Sequence, residues 1–122
     1  HASLSGDGKW LYFASDMPGG KGGVDIYKAP IAEDGSFGEA INLGDDVNTE
    51  GNEMFPFIHP SDEMMFFSSN GKVGLGGLDV FVAQIKEDKS VGKVKNVGAP
   101  INSNRDDLIF VGGSTFVVAE IV

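Results

Sequence analysis

The sequence contains no cysteine among its 122 residues. This absence excludes a disulfide framework, thiolate metal sites and a thiol nucleophile. No apolar run approaches the roughly 18 residues of a membrane-spanning helix, so no direct membrane span is predicted. Basic residues are also scarce: 9 Lys and Arg against 18 Asp and Glu give a net charge of -9. A phosphate-binding surface needs clustered Lys and Arg, so nucleic acid is not an expected partner.

Helical signals are missing as well, because no window of helical length carries an i, i+3, i+4, i+7 apolar stripe closed by caps. Instead, 18 Gly and 5 Pro separate short apolar segments rich in aromatic and β-branched residues, which predicts an all-β fold. The predicted strands are residues 10–14, 24–29, 55–59, 64–68, 78–85, 109–111 and 116–122, with outer strands around 39–43 and 93–97.

The chain repeats itself without a gap at a spacing of roughly 54 residues, a period typical of solenoids, propellers and arrays. The Phe-Ala-Ser-Asp of residues 13–16 aligns with the Phe-Ser-Ser-Asn of 67–70, and 22–27 aligns with 76–81. Such a repeat is usually one supersecondary unit that stacks on copies of itself. The predicted units are residues 1–54, residues 55–108 and a partial blade or set of closing strands over 109–122.

Residues 10–14 and 64–67 are continuously apolar, whereas a strand with one wet face would alternate apolar and polar side chains. Both faces of these strands are therefore expected to be covered. Hairpins are predicted at Asp7-Gly8 and at residues 60–62, and each repeat then supplies about four strands. These features predict two four-stranded antiparallel β-propeller blades plus a partial third, belonging to a larger propeller.

Several loop residues recur at equivalent positions in both repeats. A residue required once per repeat is normally structural, since catalysis needs different groups converging on one point. The glycines are expected to supply positive φ values or close backbone approach, the aspartates to accept hydrogen bonds from loop amides, and the asparagines to bond their own turn. These structural positions are Gly22, Gly23, Gly76, Gly77, Asp25, Asp79, Asn48 and Asn102.

One segment imitates a metal site. Residues 46–51, with Asp46, Asn48 and Glu50, resemble the start of a calcium-binding EF-hand loop. The twelfth position, however, is Phe57 instead of a bidentate Glu. Calcium is therefore only a weak candidate, and no cofactor is predicted.

No nucleophile elbow, P-loop or dinucleotide fingerprint is present, and the two His residues lie in no ligand-spaced cluster. The chain is therefore not expected to be an enzyme. Glu53 is interpreted as a solvated loop carboxylate, the alternative being a carboxylate that faces the central channel. Phe37 is interpreted as a packed side chain, the alternative being an exposed ring that anchors a partner or caps the blade rim. Trp10 and Tyr12 are expected in the core, although they are also the residues that would stack on a sugar.

Residues 3–16, the Gly-Gly-Val-Asp-Ile-Tyr of 22–27 and the Asn-Thr-Glu-Gly-Asn-Glu of 48–53 resemble the WD40-like, TolB-type β-propeller repeat. The nearest likeness is to OmpA-family outer-membrane-associated proteins of the Bacteroidetes type. The resemblance covers residues 1 to about 110 and departs from the family pattern at Ala2 and Gly6, where proline is common. It implies a periplasmic, outer-membrane-associated interaction module, in some members part of a type IX secretion or gliding apparatus.

The leading functional hypothesis is a non-enzymatic scaffold that presents loops to protein partners in the cell envelope. A glycan-binding, lectin-like propeller module is the alternative. Because two blades leave an apolar face without a neighbour, either further blades of a parent chain or a homo-oligomer are needed to close the ring. The start at His1 and the apolar end of the chain favour a piece of a longer protein.

Overall fold

The computed structural model describes residues 2–72, 79–97, 107–111 and 114–118, the last two ranges as backbone strands. Over these residues the regular structure consists of β-strands without a helix, which confirms the all-β class. The strands are β1 (Ala2–Leu4), β2 (Trp10–Ser15), β3 (Asp25–Pro30), β4 (Ile41–Asn42), β5 (Glu53–Ile58), β6 (Met64–Ser69), β7 (Asp79–Ile85), β8 (Val91–Asn96), β9 (Asp107–Val111) and β10 (Ser114–Val118).

The strands form two four-stranded antiparallel sheets in chain order. The first sheet is β1-β2-β3-β4 and the second is β5-β6-β7-β8, while β9 and β10 pair as a hairpin. Each repeat thus contributes four consecutive strands, as its sequence predicts. Both sheets are open, and each ends in two edge strands.

Strand register repeats with the sequence. In the first sheet Trp10 pairs with Pro30, and in the second sheet Met64 pairs with Gln84. All six pairs between β2 and β3 recur 54 residues later between β6 and β7. The two repeats therefore share their strand pairing as well as their amino-acid sequence pattern.

The tight turns follow the same period. Gly8 has a φ of 72° and its counterpart Asp62 has 61°, while Gly35 has 86° and its counterpart Lys89 has 70°. Left-handed backbone favours glycine, so the second repeat holds two turns that its own residues disfavour. The geometry of the repeat unit fixes these turns in both copies.

The sheets pack face to face around a shared core. Because alternate residues of a strand point to opposite faces, Trp10, Tyr12 and Ile26 lie on one face of the first sheet, here called its inner face. This inner face packs against the β6 and β7 residues of odd number, and strand β5 approaches β1, β2 and β3. The buried members of this core are Tyr12, Ile26, Val47, Ile58, Met65, Phe67, Phe81, Ala83 and Ile85.

Coverage differs between the two sheets. All six residues of β6 are buried, and Met64, Phe66 and Val82 form a second buried cluster on its other face. The prediction that both faces are covered is thus confirmed for β6. It is wrong for β2, where Tyr12 alone is buried and the other residues are half-buried. The physical reason is that one face of the first sheet packs against the second sheet, whereas among the described residues no further sheet packs on its other face.

The second sheet begins at Glu53, two residues before the predicted strand start at Phe55. Asn52 forms a parallel bridge with Val24, and the Glu53 amide donates to the Val24 carbonyl at 2.8 Å. These bonds extend β5 toward the first sheet. The predictions for Gly76, Gly77, Asn102 and residues 119–122 lie outside the described residues.

Candidate interaction surface and loop network

The face of the first sheet opposite its inner face carries an apolar surface. Leu4 is 58% exposed and Phe37 is 60% exposed, and Leu11, Phe13 and Ile31 are half-buried beside them. Strand pairing places Leu4 with Leu11, and the Ile31–Phe37 bridge places those two on the same side. We call these five residues the open face. Phe37 was predicted to be packed, and that prediction is wrong within this chain.

The repeat shows what such a face does when it has a neighbour. The second-sheet counterpart of Leu4 is Ile58, which is 4% exposed, and the counterpart of Phe13 is Phe67, which is 1% exposed. The counterpart of Phe37 is Val91, which packs against the inter-sheet core. These three positions are therefore more buried in the second sheet than in the first.

Loops at one end of the first sheet are held by a buried polar network around Asp25. Its carboxylate, 1% exposed, accepts hydrogen bonds from the Lys21 amide, from the Gly22 amide at 3.3 Å and from Asn42 Nδ2 at 2.9 Å. This arrangement matches the predicted loop-anchoring role. Asp79, at the equivalent place, begins β7 and is half-buried.

Asn48 is fully buried and pairs with the main chain of β3. Its Oδ1 accepts from the Ile26 amide at 2.8 Å, and its Nδ2 donates to the Ile26 carbonyl and to Asn42 Oδ1, both at 2.9 Å. The prediction that Asn48 bonds its own turn is thus too narrow. Its side chain joins the crossing loop to the sheet.

The geometry of the calcium candidate is unfavourable. The only side-chain oxygen of Asn48 is engaged by the Ile26 amide, while Asp46 and Glu50 point from exposed loop positions. In the described part of the chain, no group of three or more His, Cys, Asp or Glu side chains is arranged to hold a metal ion. The sequence similarity to an EF-hand start reflects a sheet-anchoring asparagine between two exposed carboxylates.

Glu53 is a residue whose role sequence reasoning missed. It is fully buried, so its interpretation as a solvated carboxylate is wrong. It accepts hydrogen bonds from the Thr49 amide at 2.8 Å, from the Thr49 hydroxyl at 2.7 Å and from Ser69 Oγ at 2.6 Å. A carboxylate with three donors can be buried at acceptable cost. The available signal was its position at the first residue of a repeat-equivalent strand.

The glycines before β3 act through close approach. A Cβ on Gly22 would lie 2.3 Å from the Thr49 carbonyl oxygen, and one on Gly23 would lie 2.3 Å from Asn52 Oδ1. Neither Gly22 nor Gly23 has a positive φ, whereas Gly19 in the same loop has a φ of 91°. The predicted close approach is confirmed, and the predicted positive φ is wrong for this pair.

The aromatic residues considered for sugar stacking lie at the inter-sheet core. Tyr12 is 2% exposed, and the Lys28 ammonium lies 4.7 Å from the centre of the Trp10 ring. The same ammonium donates to the Lys89 carbonyl of the second sheet at 2.7 Å. Burial raises the pKa of Tyr12 to about 12, aided by Asp62 and Asp7, and lowers the pKa of Lys28.

Further polar contacts join the sheets at the turns. The Asp62 carboxylate accepts from the Gly6 amide and, at 3.1 Å, from the Asp7 amide. The Ile58 amide donates to Ser3 Oγ at 3.0 Å. The two sheets therefore contribute different donors and acceptors to the contact between them.

A wide groove of about 900 Å³ lies beside β8, between acidic and basic side chains that include Asp45, Asp46, Lys72 and Lys93. Lys72 donates to the Asp46 carbonyl at 2.7 Å, and burial lowers its pKa. No nucleophile with an adjacent base lines this groove, so its described residues suggest no reaction.

Comparisons with protein-family models, with curated proteins and with solved structures find no match to this chain. Within the residues described, no helix has both the length and the apolar character that a membrane crossing would demand.

Proposed function

We propose that this chain is part of a non-enzymatic β-propeller scaffold that presents loops to protein partners in the bacterial periplasm or at the outer membrane. The setting that its sequence resemblance suggests is a secretion or gliding apparatus. The observation that carries the proposal is the repetition of register: two four-stranded sheets, identical in their β2–β3 and β6–β7 pairing, stack face to face. A propeller is built from such stacked sheets.

The buried polar groups support a structural use of the repeat. Asp25 and Glu53 are the buried carboxylates among the described residues with resolved burial, and each accepts its hydrogen bonds from its own loops and strands. A catalytic carboxylate would instead face a cavity that admits substrate. The chain uses these groups to hold loops in place.

The loops offer the surface that a scaffold needs. Residues 32–39, which join β3 to β4, are exposed throughout and include Glu33, Asp34 and Glu39. The Asp34 carboxylate fixes this turn by accepting from the Ser36 amide at 2.9 Å, and Asp88 does the same for Ser90 at 3.0 Å in the second repeat. Exposed turns that are held by a hydrogen bond recur on one scaffold, which is typical of repeat-protein binding surfaces.

The glycan-binding alternative needs an aromatic ring that is free to stack on a sugar. Tyr12 is buried, and Lys28 lies over the Trp10 ring. Neither residue that this alternative named offers an open ring face, so protein binding is the better supported function.

The test is photocrosslinking in cells of the source organism. A photoreactive amino acid replaces Asp34 in one variant and the repeat-equivalent Asp88 in another, both in exposed turns. We expect discrete protein adducts, recovered with the cell-envelope fraction, from at least one turn. Saturable binding to a glycan array with no protein adduct from either turn would contradict the proposal, as would recovery of the chain in the cytosol.

A further inference from the structure

We infer that the outer edge of β8 (Val91–Asn96) is a docking site for an extended acidic segment of a protein partner, which adds to the second sheet as a further strand. The inference rests on the proposed function only in that the chain binds proteins. It places one partner at a strand edge, whereas the proposed function concerns the loops.

The outermost strand differs between the two repeats. β8 has six residues, whereas β4, at the equivalent place in the first sheet, has two. Among the described residues, no strand pairs with the outer edge of β8. An edge strand presents a row of main-chain donors and acceptors to another extended chain, and a longer edge presents more of them. The second sheet therefore has the longer surface for strand pairing.

The main chain of Val94 points to this outer edge. The Val97 amide donates to the Val80 carbonyl at 3.1 Å. Two residues earlier, Lys95 pairs with Val82 of β7. Because the amide and carbonyl groups of successive residues in an antiparallel strand point to opposite edges, Lys95 bonds toward β7 and Val94 faces away from it. Val94 thus presents one donor and one acceptor to an added strand.

The groove beside β8 can receive side chains of the added strand. It has a volume of about 900 Å³, and Phe81, Val91 and Val94 are the apolar residues that line it. Alternate side chains of an added strand point to the same face of the sheet, so every second one would enter this groove. In strand addition, main-chain hydrogen bonds give affinity and contacts with alternate side chains give specificity. The edge of β8 has both features.

Lysine side chains surround this edge, in a chain whose net charge is -9. The lysines on β8 or in the groove wall are Lys72, Lys86, Lys93 and Lys95. The two on β8 are exposed, and they stand where the first repeat has Glu39 and Ile41. The charge of the edge is thus particular to the second repeat.

The acidic side chains of the groove do not cancel this charge. Asp45 and Asp46 line it, but the Asp45 carboxylate is paired with Lys21 at 2.9 Å. Lysines therefore outnumber the unpaired carboxylates around the edge, and an acidic segment is the complementary occupant.

A second copy of the same edge is the less suitable occupant. Two β8 strands placed side by side would bring Lys93 and Lys95 close to their own equivalents, and like charges on paired strands are destabilising. Lysines on an edge strand commonly prevent such self-pairing. An acidic strand meets opposite charges at the same positions.

The probe is a fluorescent peptide of about eight residues in which valine alternates with glutamate, a length that matches an ordinary strand. Its anisotropy is measured as the 122-residue chain is added. The control peptide has lysine in place of each glutamate. We expect saturable binding of the glutamate peptide, at least about tenfold tighter than that of the lysine peptide.

Variants of the chain test the charge and the main chain separately. Lys95→Glu should weaken binding of the glutamate peptide about tenfold, whereas Lys9→Glu, the same charge change at an exposed position of the first repeat, should leave it within about twofold. Val94→Pro removes the outward amide and should weaken binding about tenfold relative to Val94→Ala, which keeps that amide. The urea midpoint of each variant shows whether it is folded.

Amide hydrogen exchange shows whether the peptide adds as a strand. In the saturated complex, the Val94 amide should exchange at least about tenfold more slowly, while the Lys95 amide, already bonded toward β7, should not change. Binding without this protection would overturn the inference, as would equal affinity for the two peptides or no saturation below about 1 mM.

Dimerisation of Lys95→Glu in light scattering, with no peptide binding by the wild type, would also overturn it and would assign the lysines to protection of the edge. Photocrosslinking from the turn at Asp34 reports on the loops and does not depend on β8. Failure of this inference is therefore distinguishable from failure of the proposed function.

Discussion

Replacing Asn48 by alanine should destabilise the chain strongly, because its side-chain amide bonds the main chain of β3 as a neighbouring strand would. Asn48→Ala removes the acceptor of the buried Ile26 amide and two bonds donated by Nδ2, one of them to Asn42. The Ile26 carbonyl keeps its bond from the Leu43 amide at 3.1 Å. The main penalty is therefore one buried N–H without a partner.

The magnitude follows from these losses. A buried donor left unsatisfied costs about 1–3 kcal/mol, and each further neutral hydrogen bond contributes about 1 kcal/mol. We expect the free energy of unfolding to fall by about 2–4 kcal/mol. That is a large part of the 5–15 kcal/mol or so that stabilises a small domain.

The assay is urea unfolding, followed by Trp10 fluorescence and by circular dichroism. With a slope of about 2 kcal/mol per molar urea, in the middle of the usual range, the midpoint should fall by about 1–2 M at unchanged slope. Glu50→Ala, an exposed position in the same loop, is the matched control and should change stability by less than about 0.5 kcal/mol. An Asn48→Ala midpoint equal to that of Glu50→Ala would refute the reasoning.

Three further perturbations test the loop network and the core. Glu53→Gln should lower the free energy of unfolding by only about 1 kcal/mol, because the hydroxyls of Thr49 and Ser69 can accept hydrogen bonds instead of donating them. Glu53→Leu should lower it by about 3 kcal/mol, because the Thr49 amide is left without an acceptor. Equal urea midpoints for the two variants would contradict this. Gly22→Ala should cost at least about 2 kcal/mol, because its Cβ would meet the Thr49 carbonyl; an unchanged melting temperature would show that the loop can yield. The pKa of Tyr12 is raised to about 12, so its stabilising effect is complete below pH 10 or so and is lost as pH rises toward 12. The stability of Tyr12→Phe should therefore decrease less than that of the wild type over that range, and parallel pH profiles would count against this assignment.

Much of the fold was predictable because the repeat makes each local signal appear twice. The apolar run of β6, the hairpin near Asp7-Gly8 and the strand order within each unit all follow from residue type and spacing. Turn geometry was harder to predict in the second repeat. Asp62 and Lys89 adopt the left-handed backbone conformation that glycines adopt at the equivalent positions of the first repeat. The residue type at these two positions does not by itself predict that conformation.

The candidate site was less predictable, because burial of polar groups depends on partners distant in sequence. Glu53 is sequestered by Thr49 and by Ser69, and the latter belongs to the neighbouring strand β6. Phe37 is the opposite case: its sequence predicts packing, yet its side chain is 60% exposed. Periodicity predicts which face is apolar, but it does not indicate which face is covered.

The contrast between the repeats separates contacts that belong to the unit itself from contacts that depend on its surroundings. Positions that recur with the same contact, such as the stacked pairs Phe13–Tyr27 and Phe67–Phe81, both with ring centroids 5.8 Å apart, belong to the unit itself. Positions that match in sequence but differ in exposure depend on what surrounds each copy of the unit. Leu4 belongs to this second class. In a stacked-sheet protein, the difference in burial between equivalent residues thus shows which face of each sheet is covered.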